Sequence, residues 1–221
     1  AAQAAQAEAE EAAQAEAEVL LGPLIEAFSE SLEAFVFPIL GNGFVVQQVN
    51  RSCQADIGML HEAMGRLGLE VEGEDATVRA LLEAEAAQQR HPTPGRLDEP
   101  SGALGLLWIR RCLSFQHAIL HGARLEDEHE HGSVKAVADA AYAAFYAPYH
   151  GWLVRKTFQM ALAAVPSRDE LFMRIAPSVD EDEVIELCLR EVGECADTMR
   201  LVIDSMARCF DTLQLDDRRK I

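Results

Sequence analysis

The sequence predicts an all-α domain of about eight helices. Apolar residues recur at three- and four-residue steps through most of the chain, and the breaks between these runs fall at Pro and Gly clusters. No segment shows the alternating, β-branched pattern of a strand.

Residues 1–18 are nearly pure Ala, Gln and Glu. Helix propensity there is high, but there is no large apolar face to bury, so the stretch reads as a solvated tail outside a domain over 19–221. Leu20, Leu21, Leu24, Phe28, Leu32, Phe35 and Val36 then mark one face of a first amphipathic helix, which Pro38 and the Gly41-Asn42-Gly43 turn should end. A second helix is expected from about Phe44 to Arg66, with Val49, Cys53, Ile57 and Leu60 on one face. The third runs from about Asp75 to Gln89 and stops at His91-Pro92-Thr93-Pro94-Gly95. The fourth, about Ser101 to Ala123, carries Leu104, Leu107, Trp108, Cys112, Phe115 and Ile119. An acidic, His-bearing stretch, LEDEHEHGS, separates it from a fifth helix over Val134 to Ala147. Ala147-Pro148 breaks that helix, and a sixth starts near His150 and runs to Ala164. Two more follow Pro166 and Pro177, the last long, from Ala196 to about Leu213.

The 221 residues include 19 Lys and Arg against 37 Asp and Glu, a net charge of −18. Nucleic-acid binding needs clustered cations, so it is excluded as a leading function, and strong docking on anionic lipid is disfavoured without a local basic patch. No apolar run reaches the roughly 18 residues a spanning helix needs, and a basic, apolar secretory start is missing. Together these lead to the expectation of a soluble, cytosolic protein. The five cysteines, Cys53, Cys112, Cys188, Cys195 and Cys209, are odd in number and form no CxxC pair. They read as buried free thiols.

His117 and His121 stand four apart on one helical face, but a zinc enzyme needs a third ligand and a general base. HExxH is absent, and His129 and His131 fall in the polar loop. No Walker loop, GxSxG or GxGxxG occurs either. The expectation is therefore no enzyme, no cofactor and no metal.

Two segments carry more information: LLWIRRCLSF over 106–115, and AYAAFYAPYHGWLVRK over 141–156 running on to AVPSRDELF over 164–172. With their His-x-Trp-x-x-x-Lys element and downstream Pro-x-Arg, these closely resemble the glycolipid transfer protein superfamily, whose branches bind glycolipids or ceramide 1-phosphate. The resemblance covers roughly residues 20–215. It implies a two-layer helical sandwich with a surface headgroup pocket and an internal apolar pocket for ceramide chains. Holding about 30 methylenes out of a bilayer takes ~24 kcal/mol of apolar burial at ~0.8 kcal/mol each.

The same resemblance assigns site residues. His150 corresponds to the His that hydrogen-bonds the ceramide amide carbonyl. Trp152 matches the membrane-contact Trp, with Arg155 and Lys156 supplying local positive charge. Trp108 falls where glycolipid binders stack Trp on the first sugar. Ceramide-phosphate binders place Arg there and a second Arg one turn earlier, where this chain has Leu104. Both phosphate-clasping arginines are thus missing, although Arg111 shares the helical face of Trp108. In helix 2 the apolar phase puts Ser52 at the family's Asp position and Asp56 at its Asn or Lys position. A register using Asn50 and Gln54 disturbs that phase.

The resemblance thus implies a monomeric protein that moves one sphingolipid between membranes through transient peripheral contact, with a neutral, glycosylated headgroup favoured. Ceramide 1-phosphate is the alternative cargo. A lipid-sensing adaptor that binds without transferring is the alternative of another class, suggested by Ser52 in place of Asp and by the acidic tail.

Overall fold

The computed structural model describes residues 18–40, 43–93, 95–124 and 133–220. The tail to residue 17, the Asn42 turn, Pro94 and the loop holding His129 and His131 lie outside the described residues.

Helix α1 (Leu21–Ser31) runs without a break through a π-helical segment (Leu32–Val36) into α2 (Phe37–Leu40). The rest are α3 (Phe44–Leu67), α4 (Val78–Ala87), α5 (Gly102–Arg124), α6 (Val134–Phe145), α7 (Trp152–Leu162), α8 (Arg168–Ile175) and α9 (Glu181–Leu213). Counting α1 to α2 as one rod gives the expected eight among the described residues. Two isolated bridges, Leu20 with Thr77 and Thr93 with Arg96, are the whole β content there.

Two boundaries differ from expectation for physical reasons. Pro38 does not end the first rod. Its ring would clash with the carbonyl four residues back, and the π segment, in which Phe37 N–H donates to Leu32 O five residues back, widens the helix ahead of it. Helix α9 begins at Glu181, well before the Ala196 start read from the sequence. Gly193 in its middle packs against the Arg124 side chain, so it marks a helix contact rather than a break.

The start signals are side-chain caps. Thr77 accepts from Ala80 N–H at 3.0 Å, Ser101 from Leu104 N–H at 3.2 Å, Ser133 from Ala136 N–H at 3.3 Å and Ser167 from Glu170 N–H at 3.4 Å. Helix α3 ends at Gly68, whose φ of 68° is the left-handed conformation of a C-terminal cap.

Helix α5 is the structural centre. It packs on α3, α4, α6 and α9, and its buried residues face in every direction, as for a helix with no solvent side. Its first turn is pinned by Glu85 of α4, which is 0% exposed. Glu85 accepts from Gly102 N–H at 3.0 Å and Ala103 N–H at 2.9 Å, and pairs with Arg66 and His91, each at 3.2 Å. Burial alone would push its pKa up. The His91 hydrogen bond and the two amides overcome that and hold it at about 2. Removing one partner of a buried ionic cluster strands the others, so Glu85→Ala should lower unfolding stability by ~3–5 kcal/mol in urea titrations. The wild-type contribution is in full above the ordinary carboxylate value of 4.5 and is lost as pH falls toward about 2.

Gly105 brings the site together. A Cβ there would sit 2.6 Å from the Asp56 carbonyl oxygen, so only glycine lets α5 lie this close to α3.

Candidate functional site

A cavity of about 910 Å³ opens between α3, α5 and α7. Its apolar side is walled by Phe44, Val45 and Val49 of α3 and by Leu153, Val154 and Phe158 of α7. Ser52, Asp56, Leu104, Trp108, Arg111 and His150 also line the cavity. Asn50 and Gln54 are not among its lining residues. The structure therefore brings together the residues of the first helix-2 register.

His150 is 5% exposed. Pro148 has ended α6, and the chain curls so that His150 N–H donates to Tyr146 O at 3.1 Å. Arg155, in the first turns of α7, reaches back and donates to His150 O at 3.0 Å and also to Ala147 O. The imidazole is stacked on Tyr146 at 5.2 Å, touches Phe158 at 5.2 Å and lies near-parallel to Trp108 at 6.2 Å between ring centres. Its Nδ1 is 3.1 Å from the Tyr142 hydroxyl. Burial, with Arg155 and Arg111 nearby, lowers its pKa to about 4, so the ring is neutral at pH 7.

Trp108 and Leu104, one turn apart, are half-buried at the cavity wall. Arg111 is buried. Its guanidinium lies 3.5 Å over the Tyr149 ring and 4.6 Å over Trp108, and donates to Asp217 O in the C-terminal segment. Asp56 is pushed up to about 8, mainly by burial and then by Cys112 and Glu99. At neutral pH it therefore holds a proton for much of the time and is both donor and acceptor.

Trp152 is 74% exposed at the start of α7, beside Leu153 at 69%, with Phe44 of α3 at 68%. Lys156 is exposed. Arg155 is half-buried, and its guanidinium also braces the 147–150 loop that carries His150.

Among the described residues no group of three or more His, Cys, Asp or Glu is arranged to hold a metal, and the His117 and His121 rings lie 5.8 Å apart. The described cysteines are free thiols.

The profile of one protein family, described as "Glycolipid transfer protein", matches residues 19–177. The chain belongs to the glycolipid transfer protein family. Glycolipid transfer protein B of Xenopus laevis is 32% identical over 116 residues, 50% of this chain and 53% of that protein. The chain thus matches about half the length of such relatives. Among solved structures, human ceramide-1-phosphate transfer protein in complex with 12:0 ceramide-1-phosphate superposes with a TM-score of 0.73 at 19% identity, covering 91% of this chain and 90% of the other. A structure of FAPP2, described as selecting simple glycosphingolipids with the same fold, gives 0.71 at 16% identity, over 93% and 92%. The all-helical architecture read from the sequence is therefore the fold of the family.

Several lining residues of this family member escaped sequence reasoning. Tyr146 and Phe158 complete the ring cage, and Tyr142, Tyr146 and His150 do stand four apart, a spacing obscured by the Pro148 break. Glu99, Asp217, Arg219 and Lys220 also line the cavity. They lie in short segments without periodicity, so no sequence signal marked them.

Proposed function

We propose that this chain carries one ceramide-based sphingolipid between membranes, with a neutral glycosylated headgroup favoured over ceramide 1-phosphate. The observation that carries this reading is the shared cavity: Trp108, Asp56 and the buried His150 line the same space as apolar residues of α3 and α7. A neutral imidazole has one donor nitrogen. With Tyr142 donating to Nδ1, the proton sits on Nε2 and is available to the ceramide amide carbonyl. Trp108 offers a face for a sugar, and Asp56 offers acceptor and donor capacity to sugar hydroxyls.

Residues 19–221 are the transfer unit in this proposal, and 1–18 lie outside it. The family consists of lipid transfer proteins, and the proposed cycle has no covalent step: docking, chain uptake, withdrawal and release, without a cofactor. Docking is assigned to Trp152 with Leu153 and Phe44, exposed apolar groups at or beside the cavity rim, helped by Lys156. No described helix is long and apolar enough to cross a membrane, in keeping with transient contact, and a monomer is proposed because the cavity lining comes from a single chain. The free thiols support a cytosolic site of action.

A second cargo, ceramide 1-phosphate, draws support from Arg111, Arg219 and Lys220 on the cavity lining. The deciding experiment is parallel transfer of fluorescent glucosylceramide and ceramide 1-phosphate between neutral vesicles. Faster glucosylceramide transfer is expected. Ceramide 1-phosphate transfer alone would reject the headgroup assignment, and binding without transfer would favour the lipid-sensing adaptor.

A further inference from the structure

Part of the cavity lining, Glu99, Asp217, Arg219 and Lys220, comes from outside the helices. It is built by two segments distant in sequence, the loop over 97–100 and a C-terminal strap over 215–220 that follows α9. Leu97 N–H donates to Asp217 Oδ2 at 2.8 Å, and Arg219 Nη2 donates to Leu97 O at 2.7 Å. Asp98 N–H donates to His91 Nδ1 at 3.1 Å, and Arg90 Nη2 donates to Pro100 O at 2.6 Å. Four hydrogen bonds therefore fix the backbone on both sides of Glu99, an exposed residue on the lining of the cavity that Asp56 lines from α3. These bonds fix where the exposed Glu99 side chain leaves the backbone, and its own rotamers are ordered only when a ligand arrives.

The neighbouring cations are already committed. Arg219 Nε and Nη2 bind the Asp217 carboxylate, and Arg111 is held by Asp217 O and two aromatic rings. Among the described residues Glu99 takes part in no ion pair within 4 Å, although its charge acts on Arg219, and Lys220 is the remaining cation on the lining.

We propose that Glu99 is a specificity-determining residue of the headgroup site: with Asp56 it forms a pair of carboxyl groups that accepts the hydroxyls of a sugar and disfavours a phosphate. A carboxylate oxygen accepts from hydroxyl donors with charge-assisted strength, whereas a phosphate offers mainly acceptors and a like charge. That the charge of Glu99 contributes to raising Asp56 agrees with both groups lining one cavity. The strap acts as the positioning element, so cargo choice depends on residues after the long last helix.

This inference rests on the sphingolipid transfer reading, and its test separates the two. Glu99→Gln and Glu99→Lys are compared with wild type for transfer of fluorescent glucosylceramide and of ceramide 1-phosphate between phosphatidylcholine vesicles. Glu99→Gln should lower glucosylceramide transfer about tenfold and leave ceramide 1-phosphate transfer unchanged or higher. Glu99→Lys should raise the ratio of ceramide 1-phosphate to glucosylceramide transfer by roughly 10- to 100-fold. A ratio within twofold of wild type in both variants overturns the assignment of Glu99 and leaves the transfer function standing. Equal loss of both lipids in Glu99→Gln, with unchanged circular dichroism and Tm, also overturns it, because the residue then supports the site without selecting cargo. A wild-type protein that transfers neither lipid overturns the functional reading and this inference together.

Discussion

Replacing His150 by leucine should lower glycolipid transfer by roughly 10- to 100-fold while the helical content stays as in wild type. The imidazole is buried in the ring cage of Tyr142, Tyr146, Phe158 and Trp108, so leucine keeps much of the apolar packing and removes only the ring nitrogens. In the proposed complex this leaves the ceramide amide carbonyl desolvated without a donor, which is where the large effect arises. Stability should change far less than transfer, and a shift of Tm to match the loss of transfer would assign His150 a packing role instead. Tyr142→Phe is the companion variant. It removes the partner of Nδ1, at 3.1 Å, and should cost several-fold in transfer by freeing the tautomer rather than by deleting the donor. The pH profile follows from the same geometry. His150 has a folded pKa of about 4 against the usual 6.5, so protonation favours the unfolded chain and its share of stability is lost as pH falls from 6.5 toward 4. Transfer above pH 7 should be insensitive to this ring.

The residues that could be read in advance share a property. Trp108, His150 and Trp152 sit in short motifs whose spacing is local, and the apolar phase of α3 ranked Ser52 and Asp56 above Asn50 and Gln54, in keeping with the cavity lining. Helix limits were legible where a Ser or Thr cap or a Pro stands at the boundary, as at Ser133 and Ser167. They were misread where a local π segment absorbs Pro38, and where α9 starts at Glu181 and runs unbroken through Gly193, which packs on Arg124 of α5. The strap lay beyond sequence reasoning altogether. Arg111 meets the Asp217 carbonyl across 106 positions, and Arg219 meets Leu97 across 122. No local period encodes such contacts, yet they place Glu99 and redirect Arg111. Arg155 shows the same limit on a smaller scale, since its side chain turns back eight residues to Ala147.

The other large effect is a gain. Exchanging both Leu104 and Trp108 for arginine should create ceramide 1-phosphate binding, by about 100-fold or more over wild type if each guanidinium gives one charge-assisted pair to the phosphate. The two side chains are one turn apart on α5 and half-buried at the cavity wall, so their replacements can reach the cavity without burying a charge in the core. Glucosylceramide transfer should fall in the same variant, because the sugar loses the Trp108 face. Asp56 supplies an internal check. Held at about 8, it is largely protonated at neutral pH and gains its charge as pH rises through that value. Two guanidinium groups beside it lower that value and favour the Asp56 charge, so Asp56→Asn added to the double variant should strengthen the acquired phosphate-lipid binding at neutral pH. Equilibrium binding to ceramide 1-phosphate in both backgrounds measures each point. No gain in the double variant would mean that Leu104 and Trp108 do not face the headgroup, and the cavity mouth would then have to be assigned to the strap and α3 alone.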